Sequence, residues 1–187
     1  TRAWLLAINI AMFGFCWGVL SNYLAIYSKE ALGITGGTGT YFAILSCGLF
    51  LSRLQGRKAL RDGRLTQNAM EGMCLSLVGF ILFVAVPHPV AYYLSAALIG
   101  LGNGHLYPAF LIMFVAVARH DQRGTANSSI LTGWDLGFGI GCLLGGVVAE
   151  HWGYGAAFWM VALENACGVA LFFMAGRKFF MARKRSE

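Results

Sequence analysis

The chain has 187 residues, 58% hydrophobic and 12% charged, with a net charge of +6; soluble domains carry about 25% charged residues, so a water-soluble fold is excluded. A membrane pass takes about 20 apolar residues, so six passes consume nearly the whole length and leave no room for a sizeable soluble domain. Cations scattered between apolar runs exclude a nucleic-acid surface, and five cysteines (Cys16, Cys47, Cys74, Cys142, Cys167) without paired spacing exclude a disulfide scaffold and a zinc site, leaving them as small packing residues.

Charge-poor stretches predict six transmembrane helices, at about 4–27, 31–52, 68–86, 91–118, 127–149 and 156–175. Runs such as Phe80 to Val86 and Leu111 to Ala118 are apolar on every side, which fits helices and not the alternating strands of a barrel. In the first helix, Asn9, Phe13, Cys16, Leu20, Tyr23 and Tyr27 make one stripe at helical spacing, a candidate pathway lining, while Gly14, Gly18, Asn22 and Ala25 make a second stripe of small residues suited to packing. Gly33 to Gly39 reads as a turn. In the third helix Glu71 lies near the helix start, where it is expected to act as a charge partner of the preceding basic connection.

Pro87-His88-Pro89 separates the third and fourth helices. In the fourth, Asn103 and Tyr107 stand four residues apart on one face and His105 on the opposite one, so the three do not line a single regular surface. The glycines at 100, 102 and 104 and Pro108 are expected to loosen this stretch, as in the broken helices around transporter sites. In the fifth helix, Gly133, Gly137, Gly141 and Gly145 recur every four residues as a ridge for close contact. Asp135 is about 200° from Gly133 round the helix and so points elsewhere. It lies on the order of 18 Å past Arg123, near the midplane, and charged side chains there are costly and tend to face a cavity. Trp134 beside it is a candidate for stacking on a substrate. Glu164 in the last helix is expected to be structural.

Orientation follows from the cations. Arg2; Arg53, Arg57, Lys58, Arg61 and Arg64; Arg119 and Arg123; and Arg177, Lys178, Arg183, Lys184 and Arg185 all fall on one side of the expected membrane, and only Lys29 on the other. The positive-inside rule then puts both termini in the cytoplasm of a multi-pass plasma membrane protein, the inner membrane in a bacterium. The apolar run after Thr1-Arg2 is too long for a signal-peptide core, so none is expected, and with no initiator Met the reading is expected to begin within a longer protein. His88, His105, His120 and His151 are scattered, so no enzyme, metal site or cofactor is expected.

The connection Gly56-Arg57-Lys58-Ala59-Leu60-Arg61-Asp62-Gly63-Arg64 resembles the loop signature of the major facilitator superfamily, Gly-Arg-x-x-Asp-Arg-x-Gly-Arg. Gly100-Leu101-Gly102-Asn103-Gly104 with Tyr107-Pro108, and Arg123 to Ser128 with Asp135-Leu136-Gly137, are similar to the tenth and eleventh helices of that family. The resemblance implies an all-α membrane fold, one six-helix half bundle, forming the C-terminal half of a twelve-helix transporter most like bacterial sugar and drug efflux permeases. It also implies alternating access, proton-coupled efflux of a small solute in the manner of an antiporter, and a partner that is either the missing N-terminal half or a second copy. One position departs: Leu60 stands where the family has an acid, and Asp62 lies two residues on, so the brace that this acid gives the loop in the family is weakened here or carried by Asp62. The expected pathway residues are Asp135, Asn103, Tyr107, His105, Tyr23 and Trp134. The competing expectation is a membrane scaffold or receptor on a transporter-derived fold that moves nothing.

Overall fold

A computed structural model describes residues 4–118 and 122–184; Arg2, Arg119, His120 and Arg185 lie outside the described residues. The elements are α1 (Trp4–Leu32), α2 (Thr38–Arg61), α3 (Leu65–Ala85), α4 (Pro89–Val117), α5 (Arg123–Trp152) and α6 (Tyr154–Leu171), followed by a π-helical stretch, Phe172–Gly176, and α7 (Arg177–Lys184). No strand occurs among the described residues. Five of the helices, α1, α3, α4, α5 and α6 with its π-helical end, are long and apolar enough to cross a membrane.

The second helix departs from the expected 31–52. Its start is delayed to Thr38 because α1 runs on to Leu32 and the turn that follows places Gly33 and Gly36 at φ 64° and 84°, where a side chain would be strained. At its other end the helix continues through the basic segment to Arg61, since backbone hydrogen bonding needs no apolar side chain and the cations sit on the exposed face. The stretch read as a loop is mostly the last turns of α2. What stops it is Gly63 at φ 72°: its N–H donates to the Leu60 carbonyl at 3.2 Å and the Arg64 N–H to the Ala59 carbonyl at 2.9 Å, the paired bonds of a Schellman cap. At the start of α4, His88 Nδ1 accepts from the Val90 N–H at 3.2 Å and Pro89 occupies the first turn, where a missing donor costs nothing.

Packing follows the glycines. α5 lies along α1 through Gly133, Gly137, Gly141 and Gly145, all buried; a Cβ on Gly137 or Gly141 would run into the carbonyl of Ala11 or Phe15, and one on Gly14 or Gly18 of α1 into that of Trp134 or Phe138. α4 is clasped from both sides. Gly100 and Gly104 face the Leu45 carbonyl and Ser52 of α2, while Gly102 faces Gly72 and Ser76 of α3. Residues two apart on a helix lie about 200° round the axis, so this alternation serves two neighbours at once. It does not break the helix: α4 is continuous through Pro108, which corrects the expected loosening.

α6 closes the bundle against α1, α3 and α5, with polar ties from Asn9 Nδ2 to the Gly168 carbonyl (2.9 Å) and from Asn165 Nδ2 to Ser76 Oγ (3.2 Å). The Asn9–Tyr27 stripe of α1 therefore packs largely inward, against α6, rather than along a pathway: Cys16 Sγ contacts the Val161 carbonyl at 3.6 Å and the Tyr27 ring lies 4.9 Å from Phe158. Only Cys16 of the five cysteines is buried; Cys47, Cys74 and Cys167 are exposed on the outer surface, where an apolar thiol suits lipid as well as a core.

Gly137→Leu should separate α1 from α5 and lower stability by about 1–3 kcal/mol or prevent folding, whereas Gly139→Leu, with nothing within 4 Å of its Cβ position, should leave the thermal unfolding midpoint in detergent nearly unchanged. Equal midpoints for the two variants would show that the ridge does not carry the contact.

Candidate functional site

The regularity of α5 decides where Asp135 stands. With the glycine ridge turned to α1, the carboxylate emerges on the far side of the helix and is exposed, on a face that no helix of this bundle covers. Immediately before it, Trp134 turns toward α4 and α1. Its ring centroid lies 5.5 Å from Tyr107, edge to face, and 6.1 Å from Trp17. The three rings draw α1, α4 and α5 together at one seam. Trp17, which sequence reasoning passed over, is buried at its indole Nε1 with no acceptor among the described residues. The signal for it was its place beside Gly18 on the flank of α1 that meets α5.

The α4 candidates separate. Asn103 is buried on the side of α4 shared with Tyr107; its Nδ2 donates to the Ile99 carbonyl one turn back at 2.9 Å, and its Oδ1 has no donor among the described residues. His105 is turned the other way, packed on Gly72 of α3 and buried, with Nδ1 unpartnered among the described residues. Its main chain serves a structural purpose, because Asn68 Nδ2 donates to the His105 carbonyl at 2.7 Å. His105 is thus not brought together with Asn103 and Tyr107.

Tyr23 is engaged elsewhere as well. Its hydroxyl donates to the Cys142 carbonyl at 2.7 Å and its ring lies 5.9 Å from Tyr154, at the junction of α1, α5 and α6. Glu164 is half-buried in a small groove of about 190 Å³ with Met12 and Phe15 of α1 and Ile140 of α5, on the side of α5 away from Trp134.

In the loop signature, Gly56 is buried against the Asn68 side chain, 3.3 Å from where its Cβ would stand, and Gly63 makes the cap of α2. Arg57 and Arg61 are exposed on α2. Asp62 pairs with Arg64 at 3.7 Å, within the turn itself and open to water, so this acid braces its own turn. Glu71 does not serve the basic connection either: it accepts a hydrogen bond from Gln67 at 3.0 Å and shares a groove with Arg177 at the start of α7.

Comparison with known proteins gives the family and the fold. The sequence profile described as Major Facilitator Superfamily matches residues 61–186. An uncharacterized MFS-type transporter of Burkholderia mallei (strain SAVP1) is 33% identical over 103 residues, 55% of this chain and 25% of that protein. The multidrug resistance protein MdtG of Klebsiella pneumoniae (strain 342) is 29% identical over 156 residues, 80% of this chain and 37% of its own length. Among solved structures, a mutant of the peptide transporter POT in complex with alafosfalin superposes with a TM-score of 0.79 at 21% identity, over 95% of this chain and 38% of that one. The POT family transporter PepTSo gives 0.80 at 17%, over 95% and 37%; both show the shared fold. The chain matches no more than about two fifths of the length of any of these proteins.

Replacing Tyr107 and Trp134 by Ala singly and together should give a coupling energy of about 0.5–1.5 kcal/mol in thermal unfolding, the usual strength of an edge-to-face aromatic pair; a coupling of zero would mean that the rings do not meet. With its helices paired through glycines around a three-ring seam, and with its profile match over two thirds of its length, the chain is a multi-pass membrane protein that belongs to the Major Facilitator Superfamily.

Proposed function

We propose that this chain is the C-terminal six-helix half of a secondary transporter that moves a small solute by alternating access, in a proton-coupled efflux cycle. The observation that carries the reading is Asp135: a carboxylate near the middle of an apolar helix, turned away from α1 and exposed on a face this bundle does not cover. An ionisable group at that depth is expensive unless it faces a water-filled path or a partner, and proton relays are built from such groups. Tyr107 meets Trp134, next to Asp135, so a substrate on this face would meet a carboxylate and aromatic edges, with the Asn103 amide buried behind them on the Tyr107 side of α4. Those groups suit a sugar or an amphiphilic drug, and the name of the Klebsiella relative, a multidrug resistance protein, favours the drug-like solute. The second bundle needed to enclose the path is an N-terminal half or another copy of this one.

Orientation belongs to the same proposal. The α2–α3 turn, the start of α5 and the region from Arg177 onward carry the cations, which supports a cytoplasmic placement of that side in a bacterial inner membrane. Labelling from outside intact cells should reach the α1–α2 turn near Lys29 and leave the α2–α3 turn near Asp62 unlabelled; labelling of both from one side would reverse the reading.

In proteoliposomes of the full-length protein, Asp135→Asn should reduce gradient-driven flux by about a hundred-fold or more, the lower end of what a positioned proton-transfer group contributes, with the thermal midpoint preserved. Solute exchange without a pH gradient should persist. Unchanged flux in the variant removes Asp135 from the mechanism, and no flux in the unaltered protein, with a tight partner retained in detergent, favours a scaffold.

A further inference from the structure

The face of α2 turned away from α4 changes character along its length. Phe50, Leu54, Arg57 and Arg61 follow one another at spacings of four, three and four residues and so lie in one line. Phe50 is 65% exposed and Leu54 52% exposed, with Leu51 beside them also exposed, and the opposite side, Leu45, Gly48, Ser52 and Gly56, is buried. Where the apolar part of the line gives way to the cationic part, Leu54, Arg57, Lys58, Leu60 and Arg61 line a groove of about 480 Å³. None of its three cations is paired with an acid among the described residues, since Asp62 is engaged with Arg64. The groove at the start of α7 is different, because there Arg177 sits with Glu71.

Three unpaired cations around one concavity form a site for a phosphate group, and two of them are guanidinium groups, whose planar donors match its oxygens in pairs. A free phosphate ion would make no use of the exposed apolar strip that leads out of the groove toward the membrane interior. A phospholipid would: its acyl chain would lie along Phe50 and Leu54 while its headgroup rests among the cations at the level where lysines and arginines meet the interface. The geometry points to an anionic phospholipid bound at the cationic end of α2, a site separate from the Asp135 seam and independent of whether the protein transports. Charge complementarity selects an anionic lipid over a zwitterionic one, because the groove offers no carboxylate to an ammonium group.

Native mass spectrometry of the full-length protein in detergent, titrated with phosphatidylglycerol or phosphatidylcholine, tests this. One phosphatidylglycerol should be retained in preference to phosphatidylcholine. The double variant Arg57→Gln/Arg61→Gln should weaken retention by about ten-fold or more, as expected for losing two interfacial cations, and Lys58→Gln by less. Arg177→Gln, which removes a cation of the other groove, should have little effect, and Leu54→Asn should weaken retention although it removes no charge. Equal retention of the two lipids, or an equal loss in Arg177→Gln, would reduce the effect to general surface charge and overturn the site. Displacement by millimolar inorganic phosphate with Leu54→Asn unaffected would assign the groove to free phosphate, and absence of a retained lipid in the full-length protein would assign this face to contact between protein segments.

Discussion

Bare backbone against bare backbone is the contact on which this bundle depends. Between helices in lipid there is little water to release, so association rests on close packing and on polar contacts across the interface. Glycine provides the first by removing the side chain that would hold two helices apart. α1 and α5 meet through reciprocal glycines, Gly14 and Gly18 on one and Gly137 and Gly141 on the other, each set against carbonyls of the facing helix. α4 has this property on two sides, so α2, α4 and α3 form a layer one helix thick with α4 in its centre.

Polar side chains supply the second kind of contact, and they do so economically. Asn9, Asn68 and Tyr23 each donate to a main-chain carbonyl on a different helix, an acceptor that is already bonded within its own helix and still has a lone pair to offer. Such ties put no charge in the apolar interior and are worth about 0.6 kcal/mol each on average in membrane proteins. They specify rotation and register, since an amide reaches one carbonyl only when both helices are correctly turned. α6 has no glycine ridge against its neighbours and relies on polar ties, from Asn9 to the Gly168 carbonyl and from Asn165 to the Ser76 hydroxyl.

The all-helical membrane character was readable from composition, because only a span consumes apolar residues at this rate. The four-residue glycine repeat of α5 is equally visible in the sequence, and with it the direction in which Asp135 points, since both depend on one helical period. What the sequence did not disclose was which neighbour a stripe meets. The Asn9–Tyr27 stripe of α1 has the periodicity of a pathway lining and of a buried seam alike, and its contact with α6 is a tertiary fact. The glycines at 100, 102 and 104 suggested weakness because a spacing of two matches no single helix face; it matches two. The end of α2 was misplaced because hydropathy falls at Arg53 while helical hydrogen bonding continues to Arg61, and Trp17 was overlooked because its place beside Gly18 marks it as bordering the α1–α5 contact but not as joining Trp134 and Tyr107 there.

The cap at Gly63 carries one more implication. It leaves three residues, Asp62 to Arg64, between the last turn of α2 and the first of α3, and two of its bonds already tie Arg64 and Gly63 back to the end of α2. A link this short has no slack. At the basic end the direction of α2 is therefore tied to that of α3, and since both are seated on the glycines of α4 the three helices share one fixed alignment.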